Sequence, residues 1–219
     1  MYFYTMFLLG PSLEFPPVER ASPEGILAFG GDLSPERLIL AYQNGIFPWY
    51  NEGEPIIWYS PDPRMVLFLD ELKVSKSMAR LIRKNEFTIS MNQDFKQVIE
   101  NCQHAPRKDQ LGTWITEDMK QAYIKLNQLG VAKSVEVWKG SELVGGLYGI
   151  DLGHVFCGES MFSKVSNTSK LAFIYLVRTL SEKNYRLIDC QVYNEHLESL
   201  GAREISRADF IQILKPDSL

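Results

Sequence analysis

The stretch Arg186 to Tyr193, RLIDCQVY, sets a carboxylate and a carboxamide two positions apart in an otherwise apolar run. Side chains on a strand alternate between faces, so Asp189, Gln191 and Tyr193 are expected on one face and Ile188, Cys190 and Val192 on the other. Burying a carboxylate is costly unless it is hydrogen-bonded, so this placement implies a polar pocket or a strand end open to solvent. The alternative has Asp189 capping a neighbouring loop and Gln191 facing water; the residue types alone do not separate the two. A second carboxylate, Glu159, interrupts the apolar run Phe156 to Phe162 beside Gly158, whose missing side chain lets a ligand or another backbone approach. Glu159 can equally be an ordinary residue of a half-exposed strand. Together these groups can orient a cationic or hydrogen-bonding substrate and handle protons.

Lys76, Arg80, Arg83 and Lys84 recur at i, i+4, i+7 and i+8, one face of a helix, with Met78, Leu81 and Ile82 on another. Such a face suits phosphates, although a merely solvated amphipathic helix has the same pattern. Trp49 and Tyr50 in GIFPWY, Trp58 and Tyr59 in IIWYS, and Trp114 lie near Gly- and Pro-rich turns, where a ring can stack on a base or ribose. Trp58 is expected in the core. The pairings Cys157 with His154 and Cys190 with His196 lack a third, orienting group, so thiolate catalysis is not expected. Three cysteines and three histidines without ligand spacing offer no metal site.

A length of 219 residues, 45% of them hydrophobic, suits one ordinary domain plus a smaller one. The net charge of −4 excludes coating of nucleic acid by bulk charge, so any RNA contact must be a local patch. Widely spread, odd-numbered cysteines point to a reducing cytoplasm. The apolar opening lacks a basic leader and a cleavage site and reads as the first core segment; no run is long enough to span a membrane.

In the first sixty residues Gly and Pro recur every few positions and leave room for one good helix, capped by Ser34, begun by Pro35 and ended by Gly45. Pro61-Asp62-Pro63 marks the boundary between a unit of residues 1–62 and one of residues 63–219. In the second, strands are expected over 65–69, 134–138, 143–150, 154–162 and 186–193, with a hairpin turn at Lys139-Gly140-Ser141. Helices are expected over 75–85, 117–129 and 169–182, the first two capped by Ser75 and Thr116. This is an α+β architecture with a mixed, largely antiparallel central sheet.

The motifs GILAFGGDLSPERLILAYQNGIFPWY, IIWYSPDPRMVL, GTWIT, SVEVW, ELVGGLYG, FCGESMFS and LIDCQVYNEHLESLGA closely resemble the bacterial leucyl/phenylalanyl-tRNA-protein transferase family, from about Pro16 to Asp209. The resemblance implies a small N-terminal domain and an N-acetyltransferase-like acyltransferase domain. It implies transfer of Leu or Phe, and less well Met, from Leu-tRNA or Phe-tRNA to proteins beginning with Arg or Lys, marking them for degradation. By motif, Asp189 and Gln191 match the family's catalytic pair and Glu159 its active-site glutamate. Leu147, Phe156, Met161, Phe173, Leu176 and Ile188 would line the pocket for the transferred side chain. Trp49 and Trp114 would flank the terminal adenosine with Asn194 close by, and Lys76, Arg80, Arg83 and Lys84 would hold the acceptor stem.

An aminoacyl ester is already activated, so neither ATP nor any cofactor or metal is expected, and the enzyme must align an amine with a carbonyl. Glu159 and Asp189 are expected to orient the cationic N-terminus, with Gln191 bonding the reacting groups. A monomer is expected. The chief rival, a CoA-dependent N-acetyltransferase, needs a Gly-rich phosphate loop where this chain has Lys164-Val165-Ser166-Asn167-Thr168-Ser169. A non-enzymatic RNA- or peptide-binding module is the other.

Overall fold

The computed structural model describes residues 7–105 and 113–215. The first unit contains β1 (Phe7–Leu9), β2 (Ile26–Gly30), α1 (Pro35–Gln43), β3 (Phe47–Pro48) and β4 (Ile57–Tyr59). Its sheet runs β1-β2-β4-β3, with β1 parallel to β2 and the other pairs antiparallel. Ser34 caps α1 by accepting the Arg37 N–H, and Pro35 occupies the first turn, where a missing N–H has no consequence. Leu38, Ala41 and Tyr42 recur at helical spacing and are buried, and Trp58 is fully enclosed, as expected.

The chain then passes through Asp62-Pro63 into β5 (Arg64–Phe68), α2 (Lys76–Lys84), β6 (Thr88–Met91), α3 (Phe95–Gln103), α4 (Glu117–Gln128), β7 (Ala132–Lys139) and β8 (Glu142–Asp151). There follow β9 (Val155–Ser163), α5 (Thr168–Ser181), β10 (Leu187–Gln191), α6 (Glu195–Glu198), β11 (Arg203–Ile205) and α7 (Arg207–Leu214). Ser75 and Thr116 cap α2 and α4 through the N–H groups of Met78 and Met119. The seven-stranded sheet has the order β11-β5-β10-β9-β8-β7-β6, and only β9 and β10, joined through α5, are parallel. That is the mixed, largely antiparallel sheet of an α+β protein. Beyond the expected elements, the chain forms β6, α3, α6, β11, α7 and the strands of the small sheet.

Two apolar cores cover the faces of the large sheet. Residues of α2 and α5 pack with Met65, Leu67, Leu147 and Ile188 in one. The other joins α3, α4 and α7 to the whole small sheet, so the two units share a core. No helix among the described residues is long and apolar enough to cross a membrane.

Close approach of β8 to β9 depends on glycine. A Cβ on Gly149 would lie 2.2 Å from the Cys157 carbonyl oxygen and 2.5 Å from the Phe156 ring. Gly140, in the β7–β8 turn, has φ +62° but open space around it. Gly149→Ala is therefore expected to lower stability by about 2–3 kcal/mol, against about 1 kcal/mol for Gly140→Ala, read from urea unfolding midpoints.

Candidate active site

β9 and β10 pair side by side from Leu187 and Val155 to Asp189 and Cys157, where their ladder stops. β9 continues along β8 as far as Ser163, whereas β10 ends at Gln191, and a gap opens between them. Both strands are bulged at this level. Opposite Tyr148 and Gly149 stand Ser160 and Gly158, leaving Glu159 as the extra residue of β9. Opposite Val66 and Met65 stand Asp189 and Gln191, leaving Cys190 as the extra residue of β10. Bulges re-aim side chains, and these two turn Glu159 and Gln191 toward each other. Gln191 sits at φ +64°, a conformation a non-glycine residue adopts only when its surroundings hold it there. Two hydrogen bonds do so: its N–H donates to Asp189 Oδ1 at 2.9 Å, and its Nε2 to Glu159 Oε1 at 2.6 Å.

Asp189 is fully buried, and its principal partner is Arg64 at the start of β5. Arg64 Nε and Nη2 donate to the two carboxylate oxygens at 2.8 and 2.7 Å, and Nη1 donates to the Gly45 carbonyl at 3.1 Å. The guanidinium lies between the rings of Phe47 and Phe210, 4.8 and 4.6 Å from their centroids. Burial disfavours the Arg64 charge, yet the charge and hydrogen bonds of Asp189, with Cys157 and Glu159 adding to them, leave the group more basic than usual. Asp189 thus anchors the strand end from behind, and both its oxygens are engaged. In the structure the cation on the Asp189 carboxylate is Arg64.

Glu159 accepts the Tyr123 hydroxyl at 3.1 Å as well as the Gln191 amide, and the Tyr42 hydroxyl is hydrogen-bonded to Tyr123. Burial pushes the Glu159 carboxyl up to about 8, against the Tyr42, Tyr123 and Gln191 hydrogen bonds, which favour its charge; nearby Asp189 adds to the rise. The group therefore exchanges its proton near neutrality. Both phenols are shifted well upward by burial and remain donors.

A cavity of about 620 Å³ occupies the gap. Leu147, Phe156, Phe173, Leu176 and Ile188 line it, with Met161 beside Ser160, and α5 supplies the far wall. Glu159, Gln191 and Asp189 form its polar side, while Trp49, Trp114 and Asn194 also border it. The catalytic and substrate-binding positions expected from the sequence thus meet in one cavity. Lys76, Arg80, Arg83 and Lys84 are exposed on α2 and line no part of it; Lys84 pairs with Glu86 at 3.1 Å. In GTWIT, Gly112 lies outside the described residues.

Two expectations about β10 are corrected. The strand ends at Gln191, not Tyr193, and the alternation fails at the bulge. Cys190 faces the cavity together with Gln191, while Tyr193 is 56% exposed and donates to Glu198. Burial pushes the Cys190 and Cys157 thiols up, so neither is a poised nucleophile.

Sequence reasoning missed Arg64, Tyr42 and Tyr123, and weighed His196 only as a partner for Cys190. Arg64 precedes an apolar strand run in PDPRM, and each tyrosine takes an inward helical position, where a buried hydroxyl requires a partner. His196 lines the cavity with its Nε2 buried and unpartnered.

Two family models match the chain: the leucyl/phenylalanyl-tRNA protein transferase over residues 66–215, and the N-terminal domain of that transferase over residues 31–62. The chain is accordingly an enzyme of the aminoacyltransferase class. Curated relatives include a leucyl/phenylalanyl-tRNA–protein transferase of Flavobacterium johnsoniae, 63% identical over 96% of this chain and 99% of that one. Another, from Pseudomonas putida, is 54% identical over 95% of this chain and 92% of its own. The chain belongs to the leucyl/phenylalanyl-tRNA–protein transferase family.

Among solved structures, a GCN5-related N-acetyltransferase from Kribbella flavida aligns with a TM-score of 0.39 at 12% identity, covering 78% of this chain and 61% of that one. L-PGS from Bacillus licheniformis aligns with the same score at 16% identity, covering 77% and 54%.

Removing one member of a buried ion pair leaves the other uncompensated, so Arg64→Met and Asp189→Asn should each lower stability by about 3–5 kcal/mol in urea unfolding. Glu159 acts through pH. Its folded value of about 8 lies above the ordinary 4.5, so folding favours the protonated form; that stabilisation is complete below the ordinary value and is lost as pH rises through the folded one. Relative to Glu159→Gln, the parent protein should therefore lose stability steadily between about pH 5 and 8. A constant difference across that window would contradict the assignment.

Proposed function

We propose that the chain transfers Leu or Phe, and less well Met, from aminoacyl-tRNA to the N-terminal Arg or Lys of acceptor proteins, marking them for degradation. The observation that carries this reading is the cavity itself, in which an apolar recess adjoins the Glu159–Gln191 wall. The recess, lined by Leu147, Phe156, Met161, Phe173, Leu176 and Ile188, suits an aliphatic or aromatic hydrophobic side chain. Its ester carbonyl would then lie beside the polar wall, and Trp49 and Trp114 offer flat faces to the terminal adenosine near Asn194. The exposed cations of α2, Lys76, Arg80, Arg83 and Lys84, suit the phosphates of an acceptor stem.

In this reading Glu159 and Gln191 orient the attacking amine, and Asp189 is a positioning residue that acts through the Gln191 backbone. A neutral amide is too weak a base to take the amine proton, which leaves that step to Glu159 or to the tRNA. The ester supplies the driving force, so no cofactor enters. The boundary between the two units falls at residues 62 and 63, between the small and large sheets. The chain acts as a monomer, and its buried free thiols suit a reducing cytoplasm.

An N-acetyltransferase reading is disfavoured at α5. Its first turn is closed by the protein itself, with Ser163 Oγ accepting the Ser169 N–H at 2.9 Å and Thr168 fully buried, so little room remains for a pyrophosphate.

The decisive experiment supplies labelled Leu-tRNA or Phe-tRNA and a peptide beginning with Arg, without CoA. Labelled peptide is expected; labelling that appears only from acetyl-CoA would overturn the proposal. Gln191→Ala should reduce the single-turnover rate by about 100-fold with little loss of stability, while near-normal rates in both Gln191→Ala and Asp189→Asn would remove these residues from the mechanism. The double variant Lys76→Glu/Arg80→Glu should weaken charged-tRNA binding at least about tenfold at low salt and flatten its salt dependence.

A further inference from the structure

Tyr42 and Tyr123 are conspicuous because nothing in substrate binding requires them. Neither lines the cavity; they stand behind Glu159, 1% and 0% exposed. Tyr42 comes from α1 of the first unit and Tyr123 from α4, and their hydroxyls meet in the shared core before Tyr123 reaches Glu159 Oε2. Two phenols in apolar surroundings need hydrogen-bond partners, and among the described residues each finds one through this chain. The Glu159 carboxylate is therefore gripped at Oε2 by the tyrosine chain and at Oε1 by Gln191, with its cavity side left to the substrate.

We infer that Tyr42 and Tyr123 are positioning residues that hold Glu159 as the group receiving a proton from the acceptor's α-ammonium. The inference rests on the transferase reading above. In the step it describes, the ammonium gives one proton to the Glu159 carboxylate, and the freed nitrogen lone pair forms the C–N bond at the ester carbonyl. The second nitrogen proton passes to the ribose oxygen as the C–O bond breaks, and Glu159 later releases its proton to water. One proton remains on the new amide, one is on the ribose hydroxyl and one on Glu159, so atoms and charge balance. An α-ammonium titrates near pH 8, and burial raises the Glu159 carboxyl to about 8, so the carboxylate is a far better proton acceptor here than at its ordinary value.

The groups facing Glu159 are distributed over the elements around it. Tyr42 and Tyr123 donate from α1 and α4, Gln191 donates from β10, and Asp189 repels from β10. Arg64 of β5 attracts it, and Cys157 of β9 is close enough to feel its charge. Of these, the tyrosines alone can lose their hydrogen bond through a substitution that keeps the ring and leaves the cavity lining intact.

The test follows single-turnover transfer from charged tRNA to an Arg-started peptide between about pH 6 and 9, for the parent chain, Tyr42→Phe, Tyr123→Phe and Glu159→Gln. The peptide's own ammonium titrates identically in every arm. Loss of a hydrogen bond that favours the carboxylate should move the midpoint of the rising limb upward by about one unit in Tyr123→Phe and in Tyr42→Phe, with plateaus within about threefold of the parent. Glu159→Gln should lose that limb and about 100-fold in rate. Equal losses at every pH with unmoved midpoints would mean that the tyrosines only support the fold, and would overturn the inference. So would an unchanged limb in Glu159→Gln. Absence of transfer by the parent chain would overturn the transferase reading as well, whereas normal parental transfer with unmoved midpoints overturns this inference alone.

Discussion

The geometry of the site depends on one buried ion pair, Arg64 with Asp189. Both oxygens of the carboxylate meet the guanidinium, which is enclosed by Phe47 from the first unit and Phe210 from the last helix and reaches the Gly45 carbonyl with its remaining edge. An ion pair so desolvated is not primarily a source of stability; its net contribution is small beside the penalty for breaking it. Its consequence is specificity of arrangement. Because the pair touches β5, β10, the small sheet and α7, these elements cannot shift independently without exposing an unpaired charge to an apolar core.

From that anchor the site is built outward. Asp189 holds the N–H of Gln191 and so fixes a left-handed residue at the end of β10. Gln191, thus aimed, bonds Glu159 across the gap between the parting strands. The bulges in β9 and β10 fall at the same level, which opens the sheet there and lets the cavity extend from the tryptophans to the α5 wall. An open seam in a sheet would ordinarily leave unpaired backbone groups; here the polar side chains and the shared core occupy its rim.

Much of this fold can be read from local sequence because much of it is locally encoded. Ser34-Pro35, Ser75 and Thr116 announce helices by side chains that serve only the adjacent turn, and those helices begin where the caps place them. The small sheet is harder to recognise, since its strands span only two to five residues and are flanked by Gly and Pro. Residues 95–103 carry a readable pattern, with Asp94 as cap and Phe95, Val98, Ile99 and Cys102 facing inward, so α3 is as legible in its residues as the helices with Ser and Thr caps. The site residues emerge from motif resemblance, while their connections do not. Arg64 and Asp189 are 125 positions apart, and no periodicity links them. Strict alternation along β10 fails for a definite reason, since an extra residue at Cys190 reverses the faces after it.

Central to the proposed function is entry of the aminoacyl group into the recess with its carbonyl facing Glu159 and Gln191 while Asp189 remains on Arg64. The most direct measurement is a crystal structure with a non-hydrolysable phenylalanyl-adenosine amide. The predicted result has the phenyl ring among Leu147, Phe156, Phe173 and Ile188, the adenine against Trp49 or Trp114, the carbonyl within hydrogen-bonding distance of Glu159 or Gln191, and the Arg64–Asp189 pair unbroken. A ligand bound elsewhere, or an Asp189 carboxylate turned from Arg64 to contact the ligand, would contradict it.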